Sequence, residues 1–437
     1  MKKRKKVSVI TLGCSKNTVD SERLMRQLQA NNIGLQNDPA KSDAIIINTC
    51  GFIEAAKEES VDTILKAVEW KNSGKTKKVI VAGCLSERYK NELQKEIPDV
   101  DIYFGTECFE GIVKELGGEL KYNLLGERVV TTPSHTAYLK ISEGCDHPCS
   151  FCAIPIMRGN HKSKPMDELV RETEFLAANN TRELVIIAQD TTGYGKDLYN
   201  IQNLTELLNN LSKINGIEWI RIMYAYPSRF PEGLINEIAS NEKICNYIDI
   251  PLQHISDTVL KSMRRGITKK QTLDLINKLK DRIPGLTLRT TFIVGYPNET
   301  EKEFNELCEF INDVQFDRVG TFDYSQEENT VSYEMGNTVP QAEKIERRDK
   351  IMELQKEISL KKNSELKGKK LKVLVEAVEG DFYIGRSYRD APEVDGEVLI
   401  PLKNRKLKIG KFYLSEIYDY NEYDLFADVI ENNGDKK

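Results

Sequence analysis

The sequence predicts a multidomain α/β chain. An N-terminal doubly wound parallel sheet comes first, then a central partial (β/α)6 barrel, then a small antiparallel β-barrel. Three observations carry this reading. Short β-branched runs alternate with helical patterns in the first part of the chain, the signature of a parallel sheet covered on both faces. Six further strand patterns, separated by amphipathic helices, follow from Ala137 onward. After Gly368 the pattern changes to short strands divided by Gly, Pro and Asp, which suits a small barrel. At 437 residues the chain is long enough for several domains and a large core.

In the N-terminal part, Val7 to Leu12 reads as a strand stopped by Gly13-Cys14-Ser15-Lys16-Asn17, with a helix through Leu24 and Leu28. Ala44 to Ile47 is the second strand, ending Asn48-Thr49-Cys50-Gly51, and Ala55 to Trp70 is helical. Lys78 to Ala82 is the third, ending Gly83-Cys84. Cys14, Cys50 and Cys84 thus each follow a strand, at the sheet edge where open α/β folds bind ligands. A lone buried Cys is usually a small hydrophobe. Three at equivalent strand ends point to one shared site. Cys108 stands further past the apolar run Ile102-Tyr103-Phe104 and is left out, while Cys245 and Cys308 read as core.

Leu120 to Pro133 is a polar junction. Ala137 to Ile141 then leads into Cys145-Asp146-His147-Pro148-Cys149-Ser150-Phe151-Cys152. The remaining strands are Glu183–Gln189, Trp219–Tyr226, Tyr247–Leu252, Thr287–Val294 and Arg318–Tyr324. Six βα units are too few for a full eight-stranded barrel, so the barrel is expected to be open, with its chemistry at the carboxyl ends of the strands. His254, after the fourth of these six strands, is a pocket-lining candidate. Gln341 to Lys370 is densely charged, with Ile345, Met352 and Ile358 at helical spacing, and reads as a solvated bridging helix. In the last part, Leu371–Val378, Phe382–Ile384, Gly396–Ile400 and Phe412–Asp419 are strands.

Composition narrows the function. A net charge of −5 sets up no global field for nucleic acid. Nine widely spaced Cys, an odd count, argue against a secreted disulfide framework and for reduced thiols. Met1 to Lys6 looks like the start of a signal peptide, but Val7 to Leu12 is too short for its apolar region. No stretch approaches the roughly eighteen apolar residues of a membrane span. The expectation is a cytoplasmic protein without a membrane partner.

Three thiols at i, i+4 and i+7 leave two readings of Cys145, Cys149 and Cys152. Zinc would need a fourth ligand, His147 or a distant residue, and structural zinc sites prefer two close pairs. An iron–sulfur cluster on three thiolates keeps one iron open for chemistry. The spacing, with the aromatic Phe151 before the last Cys, resembles the cluster motif of radical S-adenosylmethionine (SAM) enzymes. The whole chain resembles the methylthiotransferase family of those enzymes. The resemblance rests on Gly13-Cys14-Ser15-Lys16-Asn17, Asn48-Thr49-Cys50, Ala82-Gly83-Cys84, Glu143-Gly144-Cys145, Cys149 to Pro155, and Arg158-Gly159. It implies an N-terminal methylthiotransferase domain over 5–122, a radical SAM core over 131–362 and a TRAM barrel over 364–431. It also implies a 4Fe-4S cluster on Cys145, Cys149 and Cys152 that cleaves SAM, with Phe151 beside the cofactor. A second 4Fe-4S cluster on Cys14, Cys50 and Cys84 would carry the sulfur, and a reductant such as flavodoxin and a sulfur donor would serve the two.

Within the family, Cys14 to Glu22, Gln189-Asp190-Thr191-Thr192 with Tyr194-Gly195, and Ala391 to Gly396 are similar to the RimO-type branch. That branch methylthiolates the β-carbon of an aspartate in small-subunit ribosomal protein S-twelve, whereas the alternative branch acts on transfer RNA. Between Glu376 and Ile400 seven acids (Glu376, Glu379, Asp381, Asp390, Glu393, Asp395 and Glu397) face two bases, Arg386 and Arg389. An acidic barrel suits a basic protein better than transfer RNA. The barrel reads as an appended recognition module, so removing the chain after Gly368 is expected to spare both clusters.

Overall fold

The computed structural model describes residues 4–124, 126–402 and 406–430. Met1 to Lys3, Leu125 of the junction and Glu431 at the expected end of the last domain lie outside the described residues. The first sheet has five parallel strands, β1 (Lys6–Thr11), β2 (Gly34–Leu35), β3 (Ala44–Thr49), β4 (Lys78–Gly83) and β5 (Ile102–Tyr103), in the order β2-β1-β3-β4-β5. Because side chains alternate along a strand, a run such as Ala44-Ile45-Ile46-Ile47 feeds two cores. Ile45 and Ile47 pack against Ile64 and Ala67 of α2 (Glu54–Asn72) and Leu93 of α3 (Cys84–Glu96). Ala44 and Ile46 meet Leu24 and Leu28 of α1 (Ser15–Ala30) and Ile112 of α4 (Phe109–Glu115). The doubly wound sheet is as expected. The edge strand β2, with only two residues, is too short to leave a periodic signal.

The central sheet has six parallel strands. They are β6 (Thr136–Lys140), β9 (Glu183–Ile187), β10 (Trp219–Ile222), β11 (Ile244–Gln253), β12 (Thr287–Val294) and β13 (Arg318–Asp323), ordered sequentially from β13 to β6 with open edges. A short antiparallel pair, β7 (Ser142–Glu143) with β8 (Lys162–Ser163), pinches off the loop between them. That loop carries the central cysteines and the short helix α5 (Ile154–Arg158). Helices α6 (Met166–Ala178), α7 (Lys196–Tyr199), α8 (Leu204–Ser212), α9 (Glu232–Ser240), α10 (Asp257–Ser262), α11 (Lys269–Arg282) and α12 (Glu301–Val314) complete the βα units. Strand β10 stops four residues short of the expected Tyr226, because Tyr224 adopts a left-handed φ of 59°.

Helix α13 (Gln341–Ser364) departs from the solvated bridge expected. It lies along the edge strand β13 with Ile351 and Ile358 in the main core, while Ile345 and Met352 face outward. It covers an edge that would otherwise present unpaired backbone groups.

The last five strands, β14 (Lys370–Glu379), β15 (Phe382–Ser387), β16 (Val398–Pro401), β17 (Lys411–Tyr420) and β18 (Leu425–Val429), close a barrel that is antiparallel except for the parallel pair β16·β18. This barrel is not an appendage. Leu374 and Ala391 pack with Tyr138, Val185, Trp219, Met223 and Tyr247 of the central sheet. Around that contact Arg386 pairs with Glu183 at 2.5 Å, Arg318 with Asp390 at 2.7 Å and Arg389 with Asp317 at 2.8 Å. Tyr247 donates to Asp395 at 2.6 Å, and Arg221 donates to Tyr388 O at 2.6 Å.

The seam corrects the acidic face. Glu376, Asp390 and Asp395 are counterions of Arg386, Arg318 and Arg289, and both counted bases are themselves buried. Glu379, Asp381, Glu393 and Glu397 reach solvent, but so do Lys369, Lys370 and Lys372, so the barrel surface carries both signs.

Candidate active site

Strands β1, β3 and β4 are neighbours in the sheet, and Cys14, Cys50 and Cys84 follow their carboxyl ends. The approach is close. A Cβ on Gly13, whose φ is +85°, would lie 2.6 Å from Cys50 Cβ and 2.7 Å from its Sγ. Asn17 Nδ2 donates to Leu12 O at 2.8 Å and Thr49 O at 3.1 Å, tying two strand ends together. Cys50 N donates to Ser60 Oγ at 3.1 Å. Burial pushes the Cys50 thiol up, and pushes Cys84 to about 11 against the opposing charge of Arg158. Cys108 packs against the apolar core beneath α1 and α4, Cys245 lies in the seam, and Cys308 packs on the main core.

Cys145, Cys149 and Cys152 share the loop pinched off by β7 and β8. Gly144, with φ +72°, lets it close, since a Cβ there would meet Asn160 O at 2.1 Å. Cys145 N then donates to Gly159 O at 3.1 Å. Ser150 fixes the loop to the barrel mouth: its N donates to Met263 O at 3.1 Å, and its Oγ bonds Ser262 O at 2.9 Å and Tyr296 Oη at 2.8 Å. Phe151 packs with Val259, Met263, Tyr296 and Tyr324. Burial pushes Cys145 to about 11 and Cys152 to about 12. His147 is engaged elsewhere than at an ion. Its ring stacks on Tyr226 at 3.5 Å, and Nε2 meets Asp190 Oδ2 at 2.7 Å. Against the upward push of burial, that contact and the Thr192 hydroxyl hold the Asp190 carboxyl below its ordinary range.

Two arginines bring cations to the sulfurs. Arg265 donates to Cys149 Sγ at 3.3 Å and to Pro251 O at 2.6 Å, with its guanidinium over the Tyr226 ring. Arg158, at the end of α5, donates to Cys84 Sγ at 3.1 Å and to Asp20 at 2.8 Å, and also bonds Asn17. Cys84 packs with Ala153 and Met157 of the central loop. The two triads therefore share a floor. Each offers three soft donors whose thiolate charge an adjacent guanidinium would offset, which fits a thiophilic cofactor. Among the described residues no three His, Cys, Asp or Glu stand close enough to hold one metal ion. His254 is wholly buried, and burial holds its pKa down at about 3, so its imidazole is neutral and does not face the mouth as a base. Arg158, Arg265, Tyr226 and Asp190 went unassigned from sequence. Arg158-Gly159 and the polar strand ends were the available signals.

Comparison with known proteins agrees with this layout. Residues 6–105 match "Uncharacterized protein family UPF0004", 139–311 the Radical SAM superfamily, and 368–430 the TRAM domain. The "Ribosomal protein uS12 methylthiotransferase RimO" of Chloroherpeton thalassium is 52% identical over 431 residues, 98% of this chain and 99% of that one. Its counterpart in Cytophaga hutchinsonii is 50% identical over 428 residues, 98% of each. The solved radical SAM methyltransferase TsrM from Kitasatospora setae shares the fold, with a TM-score of 0.53 at 13% identity over 74% of this chain and 75% of that one. Relatives so similar, matched almost from end to end, show that this chain belongs to the RimO family of radical SAM methylthiotransferases.

Proposed function

We propose that the chain replaces one hydrogen on the β-carbon of an aspartate in ribosomal protein uS12 by a methylthio group, using SAM and two 4Fe-4S clusters. The observation that carries this reading is the common floor of the two triads, where Arg158 of the central loop donates to Cys84 Sγ at 3.1 Å. Cys145, Cys149 and Cys152 would hold the cluster that engages SAM, with Phe151 beside the cofactor. Cys14, Cys50 and Cys84 would hold the second. When bound, these groups supply a hydrogen-abstracting radical, the sulfur and the methyl group.

The chain's own residues place and protect. No side chain can deprotonate an unactivated C–H bond near neutral pH, so general-base chemistry at the target carbon is not asked of them. Burial pushes Cys50, Cys84, Cys145 and Cys152 above the ordinary thiol range, so metal binding must release their protons. Arg158 and Arg265 stand where they ease that release. The His147–Tyr226 stack and the Ser150 contacts hold the central loop still. The domains follow the same division: 5–122 for the sulfur-bearing cluster, 131–362 for SAM, 364–431 for the barrel. A cytoplasmic reductant such as flavodoxin and a sulfur donor complete the cycle. The choice of uS12 over transfer RNA rests on the relatives, since the barrel surface carries both signs.

Anaerobic reconstitution should yield about eight iron per chain. Replacing Cys145, Cys149 and Cys152 by Ala should halve the iron and abolish 5′-deoxyadenosine formation. Replacing Cys14, Cys50 and Cys84 should halve it too, yet leave SAM cleavage measurable. With dithionite and SAM, a uS12 peptide should gain about 46 Da, one hydrogen exchanged for a methylthio group. Full iron in the N-terminal variant would remove the second cluster, and a mass gain confined to transfer RNA would remove the substrate.

A further inference from the structure

Lys16 is a largely buried residue whose ammonium has no counterion among the described residues. It is the second residue of α1 and only 8% exposed. Its Nζ stands 3.1 Å from the centroid of the Tyr224 ring, and among the described residues this is its only polar or charged contact. The Nζ is not among the enclosed polar atoms that lack a partner, so the ammonium at the end of this largely buried side chain is open to an anion that arrives from outside.

The surroundings add to the pull. Cys14 caps α1 with no side-chain hydrogen bond, and the first turn holds no acid, so the positive pole of a sixteen-residue helix lies beside the ammonium. Tyr224 sits just past β10 at the barrel mouth. Its N donates to Asp249 Oδ2 at 3.0 Å, and its carbonyl accepts from Thr191 N at 3.1 Å. Two residues on, Tyr226 carries His147 of the central loop. Lys16 therefore lies between Cys14 and the mouth that the central triad overlooks. The carboxylates nearby are committed: Asp20 to Lys140 and Arg158, Glu143 to Arg158, Asp249 to Arg289, and Glu393 to the Tyr138 hydroxyl.

We propose that Lys16 binds the carboxylate of the target aspartate and so holds its β-carbon between the two triads. This rests on the function proposed above and deepens it. One ammonium on one aromatic face matches a single negative charge, whereas a phosphate calls for several donors. Lys16 also follows Cys14, which puts it on the sulfur-bearing side rather than on the SAM side of the site. The expected consequence is specificity: asparagine, of the same shape without the charge, is rejected.

The test uses reconstituted full-length enzyme and two uS12 peptides, one with the target Asp and one with Asn in its place. Lys16→Met should weaken binding of the Asp peptide by about tenfold or more, leave the Asn peptide unchanged, and bring the preference close to unity. Iron content and the dissociation constant for SAM should stay at wild-type values, and Lys16→Arg should restore part of the preference. Lys16→Gln reads the same ratio if the Met variant proves unstable. A wild-type preference in Lys16→Met overturns the assignment. So does a selective loss of SAM affinity, which would make the anion the methionyl carboxylate, or loss of iron from a stably folded variant. If wild-type enzyme ignores the Asp peptide and modifies transfer RNA, the proposed function itself fails, and this inference goes with it.

Discussion

Gly13 shows how much of the site is decided by single atoms. Its φ of +85° is one that a side chain resists, and an added Cβ would lie within 2.7 Å of Cys50 Cβ and Sγ. Gly13→Ala should cost about 1–2 kcal/mol from the backbone alone. It should also displace Cys50, so reconstituted iron should fall toward half while 5′-deoxyadenosine formation persists. Iron analysis beside a urea melt separates the two effects. The strand-end positions of Cys14, Cys50 and Cys84 were legible, because a thiol after each of three strands is visible in a linear sequence. Their supporting residues were not. Arg158 reaches Cys84 across 74 positions and Arg265 reaches Cys149 across 116, and no local pattern announces such pairs. His147 stayed open between ligand and bystander until its stack on Tyr226 could be seen.

At the scale of elements, strand positions followed from alternation and β-branched runs, and the six central strands were found in order. Pairing partners were harder to see. The acids between Glu376 and Ile400 form a run in sequence, yet Asp390 and Asp395 face inward to arginines of the central sheet, and Glu376 pairs with Arg386 of the barrel itself. A count along the chain mistook a seam for a surface. The same seam reverses the expectation for truncation. Ending the chain at Gly368 would leave Arg221 and Arg318 buried or newly exposed without Tyr388 O and Asp390, and would uncover Trp219 and Tyr247. Removing one partner from a buried ion pair typically costs about 3–5 kcal/mol. The truncated chain should therefore be poorly soluble and markedly less stable than the full chain. A thermal melt equal to that of the full chain would show the barrel to be a true appendage.

Across the whole molecule, buried ion pairs join all three domains. Asp20 of α1 meets Lys140 and Arg158 of the core, and Glu327 after β13 meets Arg88 and Lys57 of the first domain. Burial pushes the Asp20 carboxyl up, but Lys140 and Arg158 outweigh it and hold it at about 2, below its ordinary 3.8. For Glu376 burial is likewise outweighed by hydrogen bonds from His135 and Arg386, again at about 2 from an ordinary 4.5. Both bind a proton more weakly folded than unfolded, so their stabilisation is complete above about pH 4.5 and is lost as the pH falls toward 2. The urea midpoint should fall steeply between about pH 4.5 and pH 2, and Asp20→Asn should flatten part of that fall. A midpoint indifferent to pH over that range would mean the interfaces do not depend on these charges.

Ser150, in the middle of the central cysteine loop, is gripped by Ser262 O, 112 positions later, by Tyr296, and by Ser332 N at 2.8 Å. During synthesis those partners leave the ribosome long after the three thiols do. The loop therefore takes its shape only once most of the barrel has been made, unlike small zinc modules that fold around their ion. The expected consequence is that any iron this loop takes up enters after the chain has been made at least as far as Ser332. A carrier supplying that iron would have to recognise the assembled mouth rather than a nascent peptide.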